Sequence, residues 1–205
     1  MTPVFPLSSS SFGDYQRYLS MLAGNSAYVA AVETEAVLAE ELITTNTSSV
    51  TFSDLVSSYS DTYNHLQIRA IFRNSTASNN FTDCYVKPNS YSGGGMRTHW
   101  LMSDGASASS SSNGANNFGR MRQCVAKNSA GSGQFGMAIM DIVDAFSTTK
   151  YKVFRSMSGG YIDGQKHVSI QSDRYASNSA IDSLELYPAA DSFVSGTRIT
   201  LIGLK

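Results

Sequence analysis

Charge is scarce in this chain. Only 15% of its 205 residues are Asp, Glu, Lys or Arg, against about 25% in ordinary globular proteins. Ser, Thr, Asn and Gly supply the polarity instead. That composition suits a β-rich protein with polar turns and disfavours a helical bundle, which needs more Glu, Lys and Ala. The formal net charge is −1, and the basic residues form no run, which excludes a field that gathers nucleic acid or anionic lipid. No apolar stretch approaches the ~20 residues of a membrane span, so membrane insertion is not expected. Met1-Thr2-Pro3-Val4-Phe5-Pro6 has no basic segment ahead of an apolar one. No secretory signal is expected, and the chain is expected to fold in a cytoplasm. The two cysteines, Cys84 and Cys124, have no metal-ligand spacing and are expected as buried thiols of a reducing compartment.

Signatures of catalysis are equally sparse. There is no Gly-x-Ser-x-Gly elbow, no phosphate-binding loop and no dinucleotide fingerprint. His65, His99 and His167 are far apart and lack the spacing of metal ligands. Carboxylate pairs occur at Asp141/Asp144 and Asp182/Glu185, but a glycosidase needs two carboxyls facing each other across a cleft. Asp141 and Asp144 are expected to pair with Lys150, Lys152 or backbone amides. No catalytic residue, no metal and no cofactor is expected. A carbohydrate-active enzyme stays as a marginal alternative, with Asp141 and Asp144 as the pair to test. Three matches to the glycosylation sequon, at Asn46, Asn74 and Asn80, are taken as loop residues.

What the chain has is alternation. In residues 65–73, Leu66, Ile68, Ala70 and Phe72 fall on one side of a strand, and His65, Gln67, Arg69 and Arg73 on the other. Ile71 is the one apolar intruder on the polar side. A strand with one apolar face belongs in an antiparallel sheet with one side on a core. Further strands are expected at 49–52, 82–87, 98–102, 120–126, 134–142, 150–156, 167–171, 183–187 and 196–202. Residues 30–42 have high helix propensity, but the turn at 46–49 and the strand behind it favour a strand over 36–44. The segment 134–144 is apolar on both faces. It is expected in the middle of the fold, or with its second face covered by another subunit. Segments 74–80, 89–95, 103–117 and 157–164 are expected as loops, the third of them long, exposed and mobile. The fold class expected is all-β: an antiparallel two-sheet sandwich, a jelly roll, with a short N-terminal arm.

Residues 1–27 are expected to form that arm, and residues 28–205 the sandwich domain. A short helix over 14–24, capped by Asp14 and stopped by Gly24, would place Tyr15, Tyr18, Leu19 and Leu22 on one face. An apolar stripe on so short a helix needs a partner. That partner is its own domain or another subunit. Sugar stacking on exposed aromatics is a further possibility by residue type. Tyr91, Trp100 and Tyr161 are the candidate glycan contacts, with Tyr85 and Tyr175 as others of the same kind.

Several words of the chain resemble a family of small virion proteins of marine and cyanobacterial phages. They are Tyr18-Leu19-Ser20-Met21-Leu22-Ala23-Gly24-Asn25, Ser49-Val50-Thr51-Phe52-Ser53-Asp54-Leu55 and Tyr63-Asn64-His65-Leu66-Gln67-Ile68-Arg69. Met140-Asp141-Ile142-Val143-Asp144, Lys150-Tyr151-Lys152 and the closing Ile199-Thr200-Leu201-Ile202-Gly203-Leu204-Lys205 follow in the same order. The Glu-rich segment 33–41 departs from the pattern. The resemblance implies a place, the virion, assembled in the host cytoplasm, and brings no catalytic residues. It implies a tail-fibre or receptor-binding component. A homotrimer would present its loops to host surface glycans, fixed to other virion proteins through the arm at Tyr15, Tyr18, Leu19 and Leu22. The alternative is a capsid decoration protein that cements the head.

Overall fold

A computed structural model describes residues 34–77, 81–128, 131, 133–162 and 164–205. The chain divides into two units, Met1–Thr34 and Glu35–Lys205. The expected arm helix, with Tyr15, Tyr18, Leu19 and Leu22, lies outside the described residues.

The second unit is all-β, as expected. Its strands are β1 (Glu35–Leu42), β2 (Val50–Phe52), β3 (His65–Arg73), β4 (Phe81–Pro88), β5 (Met96–Ser103) and β6 (Ala108–Asn116). Then come β7 (Gly119–Ala126), β8 (Gly136–Val143), β9 (Lys152–Ile162), β10 (Gln165–Tyr175), β11 (Leu184–Pro188) and β12 (Arg198–Leu204). One five-residue helix, α1 (Leu55–Tyr59), follows β2. Its first two N–H groups donate to Asp182, Leu55 to the backbone carbonyl and Val56 to Oδ1. Asp182 therefore does a capping job that Asp54, in the left-handed region at φ 58°, does not.

The twelve strands share one hydrogen-bonded network, within which two antiparallel runs stand out. The longer is β1-β12-β3-β8-β9-β10-β5-β6 and the shorter β2-β11-β4-β7. They meet where β3 and β7 run parallel for two residues, Phe72 opposite Val125 and Arg73 opposite Ala126. β7 also lies against β8, β9 and β10, with which it shares no ladder. The core fills the space between the runs. Leu66, Ile68 and Phe72 of β3, Met140 and Ile142 of β8, and Phe154 of β9 are buried with Val86, Met121, Leu184 and Leu186 of the shorter run. Phe193 stacks on Phe72 at 5.6 Å between ring centres. Glycine is required where β8 passes β7, because a Cβ on Gly136 would sit 1.9 Å from the Cys124 carbonyl oxygen.

Strand 65–73 sits at the expected bounds with Leu66, Ile68, Ala70 and Phe72 buried. The helix-prone segment is a strand, β1, paired with the closing strand β12. Two expected loops are corrected. Residues 103–117 hold β6, a nine-residue edge strand paired with β5. Residues 157–162 are the end of β9, paired with β10. Ser and Asn have low strand propensity, but hydrogen bonding to a formed β5 overrides it in β6.

Cys84 and Cys124 are buried free thiols. Burial raises the pKa of both, so neither is a ready nucleophile.

Candidate functional surface on the outer sheet face

The longer run buries one face and leaves the other open. On β3, β8, β9, β10 and β5, alternate residues point outward, and cross-strand register sorts them into bands. In the first band Ile71 lies opposite Met137, Met137 opposite Gly159, and Gly159 opposite Val168. In the second, Ile139 lies opposite Met157, Met157 opposite Ile170, and Ile170 opposite Leu101. Ile71, Leu101, Met137, Met157, Val168 and Ile170 are each between 43% and 58% exposed. At about 100 Å² apiece they add up to roughly 600 Å², the upper end of what a monomer leaves open. A shallow apolar trough of about 280 Å³ runs over Gly159 between Met137, Met157 and Val168. A wider one of about 610 Å³ lies between Leu42, Ile71, Met137 and Arg198.

The next band is polar and the last is mixed, with Val143 opposite Val153, Val153 opposite Arg174 and Arg174 opposite Arg97, and Val143 and Val153 both exposed. Gln67 Nε2 donates to Asp141 Oδ1 at 2.6 Å, and Arg69 Nε donates to Gln67 Oε1 at 2.6 Å. Arg69 also approaches Glu35 at 3.5 Å. At the other end of the face, Arg97 lies directly opposite Arg174 and His99 directly opposite Ser172. Arg155 lies opposite both Ser172 on β10 and Asp141 on β8.

Asp141, Asp144 and Asp182, three of the carboxylates singled out from sequence, are engaged structurally. Asp144 follows β8 at φ 50°, and Lys150 Nζ donates to it at 2.7 Å. That hydrogen bond, with the Lys150 charge behind it, holds its carboxyl below the usual range. The Asp144 N–H donates to His65 Nδ1 at 2.9 Å. Nδ1 is therefore an acceptor there, and its 3.7 Å approach to Asp144 Oδ1 is no ion pair in that state. Lys152 takes no carboxylate. It is fully buried, and its Nζ donates to the Ser147 and Lys150 carbonyls. Among the described residues, no three His, Cys, Asp or Glu side chains group as metal ligands. No described helix is long and apolar enough to cross a membrane.

The three glycan candidates are not brought together. The Tyr91 hydroxyl accepts from the Gly95 N–H at 2.9 Å, and its ring packs edge-on against Tyr175 at 4.9 Å. Trp100 lies on the inner side of β5, opposite Gln171, and the Arg122 guanidinium covers its ring at 4.0 Å. Tyr161 is exposed on the outer side of β9 beside Lys166. What sequence reasoning missed is the pairing of Arg97 with Arg174. They are far apart along the chain and become neighbours only through the β5–β10 register. The apolar half had a signal in Ile71 and in the two-sided apolarity of 134–144.

A second polar region is internal. The free edge of β7 runs across the inner face of β9 and β10. The Arg120 N–H donates to Asp173 Oδ2 and the Arg120 carbonyl accepts from Ser156 Oγ, both at 3.1 Å. The Arg122 carbonyl accepts from Ser158 at 2.5 Å and Ser169 at 3.2 Å. Gln171 Nε2 donates to both oxygens of Asp173. Burial pushes the Asp173 carboxyl up to about 7, against the lowering effect of these donors.

No protein-family model matches the chain, and no curated protein matches it.

Proposed function

We propose that this chain is a structural subunit of a phage virion, a tail-fibre or host-receptor-binding component that assembles from copies of itself. The observation that carries the reading is the open apolar half of the outer sheet face. Its roughly 600 Å² is close to the ~800 Å² that each partner contributes to a standard interface. Its occupant is a second copy of this chain, because homo-oligomers closed by symmetry are the commonest soluble assemblies. In a fibre that assembly is a homotrimer, whose two antiparallel runs act as the layers of a jelly-roll sandwich. The resemblance in the words around 18–25, 49–55 and 63–69 supports the virion as the place. The role is non-enzymatic and cofactor-free. Asp141 and Asp144 are spent on Gln67 and Lys150, which supports that part of the reading. Anchoring to other virion proteins is assigned to the N-terminal arm.

Immunogold electron microscopy of intact phage, with antibody against the strand unit, tests this. Gold on the tail or its fibres is the expected result. Gold spread evenly over the head would make the protein a capsid decoration protein instead. No gold on any particle would overturn the virion reading.

A further inference from the structure

We propose that the basic corner of the outer face binds an oxyanion carried on a sugar chain, a sulfate or a uronate carboxylate. Arg97 and Arg174 are direct cross-strand partners, with His99 and Ser172 the next outward pair. These four line a depression of about 280 Å³. All four are exposed.

Two like charges directly opposite on a sheet destabilise it. Among the described residues, Arg97, Arg155 and Arg174 take part in no ion pair, while Arg69, Arg120, Arg122 and Arg198 each find a carboxylate. The only carboxylate cross-strand from any of the three is Asp141, beside Arg155, and Gln67 occupies one of its oxygens. Folding therefore leaves the positive charge of this corner without an ion-pair partner, in a protein whose net charge is −1. A local arrangement that opposes stability is the kind found at functional sites. The Arg97 guanidinium reaches toward Gly114 on β6 and that of Arg174 toward Tyr151 ahead of β9, so the two forks flank the depression from opposite sides and would swing inward to hold one tetrahedral or planar oxyanion by paired N–H bonds.

The surroundings favour a sugar as the carrier. The hydroxyls of Ser172 and of Ser112, which lies opposite His99 on β6, flank the arginines. Tyr151, 54% exposed, lies beneath the Arg174 guanidinium at 5.7 Å and adds a half-exposed aromatic side chain to the rim of the corner. Nucleic acid fits less well. Its affinity comes from a track of many phosphate contacts, and the corner is one anion wide. Four residues of strand, about 13 Å, separate the Arg97–Arg174 pair from the Leu101–Ile170 pair. A copy seated on the apolar half leaves the corner at the rim. The choice of a glycan rests on the receptor-binding reading; the choice of an anion rests on the arginines alone.

The test is calorimetric titration of the full chain with four probes: a sulfated tetrasaccharide, a uronate tetrasaccharide, neutral maltotetraose and a single-stranded oligonucleotide. At least one acidic tetrasaccharide is expected to bind tenfold or more tightly than maltotetraose. The double variant Arg97→Ser/Arg174→Ser should lose that binding at least tenfold, with a melting temperature equal to or above wild type. Arg69→Ser/Arg198→Ser, on the same face, should bind as wild type. Three results overturn the proposal: no binding of either acidic sugar, binding that survives loss of both arginines, or tighter binding of the oligonucleotide. Gold on the tail with no acidic-sugar binding would sink this site and leave the virion reading standing.

Discussion

At the scale of single residues, Asp173 carries the sharpest consequence. It is fully buried, and desolvation raises its carboxyl to about 7. An acid raised in the folded state binds its proton more tightly there than in the unfolded chain. The stability it contributes is complete below about pH 4, the unfolded value, and is lost as pH rises toward 7. Asp173→Asn removes that dependence. The stability of the variant relative to wild type should therefore rise between pH 4 and 8, by on the order of 3 kcal/mol. Urea denaturation at several pH values measures it, and parallel profiles for the two proteins would contradict the assignment. Nothing in the sequence marks Asp173 out. Its burial follows from β7 lying across β10, a long-range event. Ile71 is the opposite case: an apolar residue on the polar side of a cleanly alternating strand, visible at once, whose meaning waits for its neighbours Met137 and Arg198.

At the scale of elements, the polar inner positions of β9 and β10 find their reason in β7. A strand edge buried against a sheet face leaves its N–H and C=O groups without a ladder. Ser156, Ser158, Ser169 and Asp173 supply the missing partners. Ser158 and Ser169 share one acceptor, the Arg122 carbonyl, so each backs up the other. Either serine changed to Ala should cost under about 1 kcal/mol, and both together roughly 2 kcal/mol, because only then is a buried carbonyl left unpaired. A double-mutant cycle in urea measures the excess. Strictly additive losses would mean that the edge is satisfied some other way. Most strands were legible from alternation, β1 included once the turn behind it was weighed against helix propensity. β6 was not. A run of serines and asparagines without alternation, as in Ala108–Asn116, is what a loop looks like, and only pairing with β5 makes it a strand.

At the scale of the molecule, the two halves of the outer face divide the work. On the readings proposed above, a copy of the chain covers the apolar half and an anion sits at the basic corner. Sequence showed part of the apolar half, because the two-sided apolarity of 134–144 puts Met137 and Ile139 on the outer side of β8. It missed the basic corner because Arg97 and Arg174 meet only through sheet register. The most direct test of the central claim, that copies of the chain cover the apolar half, is sedimentation equilibrium of the full chain. Wild type should sediment as a trimer at micromolar concentration. Met137→Glu/Met157→Glu places charge where both side chains are half exposed. It should leave a folded monomer, with a dissociation constant raised at least a hundredfold. A wild-type protein that stays monomeric at every concentration, or a double variant that associates as tightly as wild type, would contradict the account.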